Sequence, residues 1–91
     1  MSLHLLKGKR GIIFGALNDM SIAWKVAERA VEEGARITLT NTPVAIRMGE
    51  VKALSDKLQA EAIPADATSV EDLEEVFSQS VKILGGPIDF V

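Results

Sequence analysis

Apolar and polar positions repeat along this chain with two different periods, which alternate from one segment to the next. Short runs rich in apolar or β-branched residues are typical of strands at Arg10–Phe14, Arg36–Thr40 and Ala62–Asp66, and a fourth run begins at Ile88. Between these runs, apolar residues recur every three or four positions, which predicts three helices. The predicted apolar stripes are Ile22, Val26 and Ala30; Val44, Met48, Val51, Leu54 and Leu58; and Val70, Leu73, Phe77, Val81 and Leu84.

Strands that alternate with helices and have no long linker between them indicate parallel βαβ units. Pro64 lies in the third predicted strand and cannot donate to a sheet ladder, so this strand is expected at a sheet edge. A doubly wound sheet of order 3-2-1-4 places its third strand at such an edge. The sequence therefore predicts an α/β fold, namely the first half of a Rossmann-type doubly wound parallel sheet with the element order β-α-β-α-β-α-β.

The ends of the helices are also marked. The first helix is predicted from Ser21 to Glu33, with Ala23, Ala27 and Ala30 forming a face of small residues that can lie close to a sheet. Before the third helix, Thr68 and Ser69 together with Glu71 or Asp72 form a predicted capping box; the apolar stripe behind it starts at Val70.

The chain has 91 residues, enough for one small domain. The sequence ends inside the fourth predicted strand, which would be central in a completed sheet of this type. Residues 1–91 are therefore expected to be the N-terminal part of a single larger domain. A self-sufficient nucleotide-binding module without catalysis is the alternative.

Composition narrows the possible functions. Hydrophobic residues make up 47% of the chain, charged residues 25%, and the net charge is −3, so we expect a globular protein and no nucleic-acid partner. The chain has no cysteine and a single histidine, His4, so no metal site is expected. It has no apolar run long enough to span a membrane and no signal peptide, which predicts a cytoplasmic protein.

The turn between the first strand and the first helix is the main candidate for chemistry. Gly15 ends the strand and can adopt backbone angles that let a ligand approach the main chain, and Ser21 can cap the helix that follows. The first N–H groups of a helix and its dipole attract a diphosphate. The dinucleotide fingerprint G-x-G-x-x-G is absent, and any such crossover needs a glycine and a cap, so a purely structural turn is the alternative. If the site is real, Asp19 should point to solvent.

Several segments together resemble the N-terminal third of bacterial enoyl-acyl carrier protein reductases, which are relatives of the short-chain dehydrogenases. They are Leu6–Arg10 leading into the first strand, Gly15 followed by Ser21-Ile22-Ala23, Glu33-Gly34-Ala35 before the second strand, and Asp66 at the end of the third. The resemblance covers essentially the whole chain. Its most specific element is the spacing from Gly15 to Ser21, since ordinary members of the superfamily carry a T-G-x-x-x-G-x-G motif there.

The resemblance implies a set of residues that bind a nicotinamide dinucleotide. Gly15, the Ser21 side chain and the Ile22 backbone N–H would hold the diphosphate. Thr42 would contact the adenosine ribose, Asp66 would accept from the adenine amino group, and the Ala67 N–H would reach the ring. Asn41 and Thr42 are neutral where many Rossmann folds carry an acidic ribose ligand, so NADPH is not rejected. NADH is favoured because Arg47, the one arginine shortly after the second strand, is expected on the solvated face of its helix and not on a 2′-phosphate.

The resemblance also implies the reaction, in which a nicotinamide hydride reduces an enoyl thioester carried by acyl carrier protein. The family's catalytic tyrosine and lysine cannot both lie in this chain, because it contains no tyrosine. We therefore assign no catalytic residue here. The resemblance also implies a homo-oligomer, namely a tetramer. If the chain belongs to an enzyme of another kind, the alternative function is that of another short-chain dehydrogenase or reductase.

Overall fold

A computed structural model of the chain describes residues 4–91, which form three strands with one or two helices after each strand. The elements are β1 (Arg10–Phe14), α1 (Ile22–Glu32), β2 (Arg36–Asn41), α2 (Pro43–Arg47), α3 (Glu50–Leu58), β3 (Glu61–Pro64) and α4 (Val70–Leu84). These bounds match the predicted segments to within one or two residues, apart from the second helix. There the chain forms two helices, α2 and α3, because Gly49 between them takes a left-handed conformation with φ +92°.

The strands form a parallel sheet in the order β1-β2-β3, which confirms the α/β fold. Within the residues described, β3 pairs with β2 alone, so Pro64 lies at the sheet edge as predicted. The predicted fourth strand is reduced to a single parallel bridge between Gly11 and Phe90, in which the Ile12 N–H donates to the Phe90 carbonyl at 3.1 Å. The position of a complete fourth strand stays a prediction.

Helices pack on both faces of the sheet. One core contains Ile37 and Leu39 of β2, the small face of α1, and the buried residues Val51 and Leu54 of α3. The other core, on the face that α4 covers, is built around Ile12, Ile63, Ala65 and Val76. Successive residues along each strand therefore contribute to opposite cores.

The packed face of α1 is the small one. Ala27 and Ala30 are buried, whereas Ile22 is 83% exposed and Val26 is 48% exposed. The prediction of a small-residue face against the sheet is confirmed, and the predicted stripe of Ile22, Val26 and Ala30 was wrong as a buried face. Small side chains let the helix axis approach the sheet closely, so the larger ones are displaced to its flank.

The packed face of α4 also differs from the predicted stripe. Leu84 is buried as predicted, together with Val76 and Ser80, whereas Val70 and Phe77 of the predicted stripe are exposed. The reason is a hydrogen bond of 2.7 Å between the hydroxyl groups of Ser80 and Thr38 on β2. Both side chains are fully buried, and burying a hydroxyl is tolerated only with a partner, so this pair sets the rotation of the helix.

Candidate functional site

The turn after β1 is open on the side where a ligand would approach. Gly15 has φ +86°, and a Cβ atom built on it would meet no atom within 4 Å. Its N–H donates to the carbonyl of Thr40 on β2 at 3.0 Å, so the turn is fixed to the neighbouring strand. Asp19, farther along the turn, is exposed, as the ligand hypothesis requires. The backbone at Gly15 is therefore accessible and held in place.

Ser21 is the N-cap of α1, as predicted. Its hydroxyl oxygen accepts hydrogen bonds from the N–H groups of Trp24 and Leu17, each at 3.3 Å. The hydroxyl also donates to the Asn18 carbonyl at 2.9 Å. This side chain thus shapes the whole turn, and a direct bond to a phosphate would have to replace the one to Asn18. The adjacent Ile22 begins the helix, where backbone N–H groups have no acceptor within the helix itself.

Two polar residues follow one another at the end of β2. Thr42 is the N-cap of α2, and its Oγ1 accepts from the Ala45 N–H at 3.2 Å. The side-chain amide of Asn41 donates to the Ala16 carbonyl at 3.0 Å, and its Oδ1 accepts from the Thr42 N–H at 2.8 Å. This role of Asn41 was not predicted from the sequence. The available signal was its position two residues after Leu39, which places its side chain on the same sheet face as α1.

Asp66 follows β3 and lies in a tight local network. Its Oδ1 accepts from the Thr68 hydroxyl at 2.7 Å and from the Thr68 N–H at 2.9 Å. These bonds, the hydroxyl's first, lower the pKa of Asp66 below its usual value because they favour the charged carboxylate. The side chain is exposed and so is the neighbouring Ala67. Asp66 therefore presents an ionised acceptor to the outside of the sheet edge.

The capping box before α4 forms only in part. The Ser69 hydroxyl accepts from the Asp72 N–H at 3.3 Å, as predicted. The Asp72 carboxylate, however, accepts from the Asp66 N–H at 2.8 Å instead of returning to Ser69. The Ser69 N–H is taken by the Asp66 carbonyl at 2.9 Å, which explains the difference. Asp72 thus holds the backbone of Asp66, the residue that is the candidate to bind adenine.

These three segments meet at one edge, because the carboxyl ends of parallel strands lie side by side. Direct hydrogen bonds join them: the Gly15 N–H reaches β2, the Asn41 amide reaches the first turn, and the Ala65 N–H donates to the Asn41 carbonyl at 2.9 Å. The edge combines a helix N-terminus, suited to an anion, with a carboxylate suited to an amino group. Of the six sequence-predicted residues, Gly15, Thr42, Asp66 and Ala67 follow the carboxyl ends of the three strands, and Ser21 and Ile22 lie at the start of α1.

Apolar hollows of about 540 and 420 Å³ flank α1, and the smaller one lies beside the first turn against Phe14 and Ile22. Both hollows are lined mainly by apolar side chains, unlike the polar site at the carboxyl ends of the strands. Across residues 4–91, no helix is both long enough and apolar enough to cross a membrane.

Comparison with known proteins now identifies the family. A family model described as "Enoyl-(Acyl carrier protein) reductase" matches residues 15–91 of the chain. The chain belongs to this family. The expectation drawn from the turn and from Asp66 is thereby confirmed at the level of the family.

Individual relatives agree. "Enoyl-[acyl-carrier-protein] reductase [NADH] 1" of Rhizobium meliloti is 40% identical over 88 residues, which are 96% of this chain and 32% of the relative. The FabI protein of Rickettsia bellii, named an NADH enoyl-[acyl-carrier-protein] reductase, is 35% identical over 92 residues, covering 100% of this chain and 34% of its own length. The chain thus spans about a third of the curated relatives it matches.

Solved structures give the same picture. The crystal structure of FabI from Alistipes finegoldii superimposes with a TM-score of 0.93 at 62% identity, over 96% of this chain and 33% of that one. The structure described as the FabI–NADH complex from the same organism gives a TM-score of 0.92 at 62% identity, over 96% of this chain and 31% of that one.

Proposed function

We propose that these residues form the N-terminal, cofactor-binding part of an NADH-dependent enoyl-acyl carrier protein reductase of fatty-acid synthesis. The observation that carries the proposal is the carboxyl edge of the sheet, where an open Gly15 backbone and a helix N-terminus lie beside the ionised Asp66. The 62% identity to a protein whose structure is described as an NADH complex supports it.

The residues present fit a dinucleotide. The space beyond Gly15 is open, so a diphosphate can reach the N–H groups that begin α1 at Ile22. Ser21 caps that helix and holds the shape of the turn, and its hydroxyl can exchange the Asn18 carbonyl for a phosphate oxygen. The backbone N–H groups are fixed dipoles, so the Ser21 hydroxyl is the group that has to change its partner.

The adenosine half of the dinucleotide would lie toward β3. Thr42 would contact the ribose, Asp66 would accept from the adenine amino group, and the Ala67 N–H would reach the ring. Asp66 is suited to its role because it is an exposed carboxylate whose pKa Thr68 lowers further, and because Asp72 accepts from its backbone N–H. A bound nicotinamide supplies a hydride for the β-carbon of the enoyl thioester, and this chain's contribution is to hold and orient the cofactor.

Catalysis itself requires groups outside these residues. The chain has no tyrosine, so the tyrosine that acts near the developing enolate in this family would come from the remaining two thirds of the protein. Residues 1–91 would then be the first part of a single domain. The enoyl substrate would arrive on acyl carrier protein, and the enzyme would act in the cytoplasm as a homotetramer.

We infer a modest preference for NADH over NADPH. No carboxylate ends β2 to repel a 2′-phosphate, and Arg47 in the last turn of α2 is the first cation that follows β2 along the chain. It is exposed, so its attraction to a phosphate would be screened by solvent. A strong NADPH preference that disappears in Arg47→Ala would show that Arg47 is a phosphate ligand and would contradict this inference.

The test of the proposed function is a kinetic assay of the full-length protein. NADH oxidation is followed by absorbance with a crotonyl thioester of acyl carrier protein as substrate, and steady turnover is expected. Turnover of a ketoacyl substrate alone would indicate another short-chain reductase. Nucleotide binding without reduction of either substrate would indicate a binding module, and a native mass near that of 91 residues would support that outcome.

A further inference from the structure

Asn41 joins the end of β2 to the turn that precedes α1. Its side-chain amide donates to the Ala16 carbonyl at 3.0 Å and accepts from the Thr42 N–H at 2.8 Å. Ala16 is fully buried and directly follows Gly15, whose own N–H is held by the Thr40 carbonyl. The turn is thus fixed to β2 by one main-chain bond and one side-chain bond on successive residues.

We infer that Asn41 is a positioning residue for the diphosphate-binding turn, an inference that rests on the proposed function. It acts through Ala16 and contacts no phosphate itself. Only a side chain with both a donor and an acceptor can make its two bonds at once, and asparagine has both within a short reach. An aspartate of the same shape keeps the bond from Thr42 but cannot donate to Ala16 once ionised.

This arrangement explains the absence of an acidic ribose ligand at the end of β2. Many dinucleotide-binding folds carry a carboxylate near this point of the second strand. Here the side chain of Asn41 is turned toward the first crossover and contributes to its shape. A carboxylate at this position would leave the Ala16 carbonyl without its donor. It would still accept from the Thr42 N–H, but it would place a negative charge beside the approaching diphosphate.

The test compares two Asn41 variants with a control on the same strand, all in the full-length protein. Asn41→Ala removes the amide without adding charge, and Asn41→Asp keeps its shape. Thr38→Val breaks the buried bond to Ser80 on the opposite face of β2 and away from the turn. Dissociation constants for NADH and NADPH are measured by calorimetry, and the midpoint of thermal unfolding is recorded for each variant.

We expect both Asn41 variants to weaken NADH binding by about three- to tenfold, the range that corresponds to one lost hydrogen bond, with Asn41→Asp the weaker binder of the two. NADPH binding should fall by a similar factor, because the diphosphate is common to both cofactors. The KM for the acyl thioester should stay unchanged. Thr38→Val should lower the unfolding midpoint and leave the NADH dissociation constant within twofold of the parent.

Three results would overturn the inference: unchanged NADH affinity in Asn41→Ala, a tighter NADH complex in Asn41→Asp, or an equal loss of affinity in Thr38→Val. If Asn41→Ala does not fold, the isosteric Asn41→Asp decides by the same criteria. Failure of the parent protein to bind either dinucleotide is a different result and would overturn the proposed function itself.

Discussion

Replacement of Gly15 by alanine tests the phosphate turn, and the chain offers a matched control at Gly85. Gly15 has φ +86° and Gly85 has φ +78°, and a Cβ atom at either position would meet no atom within 4 Å. Gly85 ends α4, where the Leu84 carbonyl accepts from Arg10 at the start of β1. The two glycines therefore have the same left-handed backbone conformation but lie near opposite ends of β1.

The expected magnitudes separate stability from binding. A non-glycine residue in the left-handed region costs roughly 1–2 kcal/mol, so both variants should lose a similar amount of stability. For chains of 150–250 residues, that loss lowers the unfolding midpoint by roughly 2–4 °C per kcal/mol. Only Gly15→Ala also places a methyl group where the diphosphate would approach. The loss of one charge-assisted contact to the phosphate costs about 1.5–3 kcal/mol of binding free energy, so NADH should bind roughly ten- to a hundredfold more weakly.

Calorimetric titration of the full-length protein with NADH provides the measurement, with thermal unfolding recorded for the same samples. Gly15→Ala should lose affinity and Gly85→Ala should keep the affinity of the parent. Equal NADH affinity in Gly15→Ala and the parent would show that the diphosphate does not bind at this turn. So would an equal loss in both variants, since binding would then follow stability alone.

Two other predictions address the core and the adenine ligand. Thr38→Val and Ser80→Ala should each lower the free energy of unfolding by about 1–3 kcal/mol, because each leaves a buried hydroxyl without its partner. The double variant should lose less than the sum of the two single variants. Additive losses in thermal unfolding would contradict the role of this pair. Thr68→Val should raise the pKa of Asp66 toward its usual value. The lowered pKa of Asp66 stabilises the fold above about pH 3.9, and this contribution is lost as the pH falls through the lower, folded-state pKa. NADH binding that needs the ionised carboxylate is lost over the same pH range. Because the pKa is higher in Thr68→Val, the acid loss of NADH affinity should begin at a higher pH in that variant. An unchanged profile would mean that Asp66 does not bind adenine.

Local patterns in the sequence were sufficient for the elements and their ends. β1 was predicted with its observed bounds, and Ser21 was identified as a helix cap, because both depend on a few consecutive residues. The edge position of β3 followed from one residue, Pro64, whose missing N–H is a local property with a consequence for the whole sheet.

Features that depend on contacts between distant segments could not be predicted in this way. The buried face of α4 is set by Ser80 and its partner Thr38, 42 residues away, and a stripe of apolar residues does not contain that information. The bond from Asn41 to Ala16 crosses 25 residues. It could be suspected from a polar residue that continues the buried row of Leu39, but its partner lies in another turn.

The central claim, that this sheet edge binds a nicotinamide dinucleotide, is tested most directly by a crystal structure of the full-length protein with NADH. We expect a diphosphate oxygen within about 3.2 Å of the Ile22 backbone nitrogen and the adenine amino group at a similar distance from the Asp66 carboxylate. A dinucleotide bound away from both residues, with the Gly15 turn still open to solvent, would contradict it.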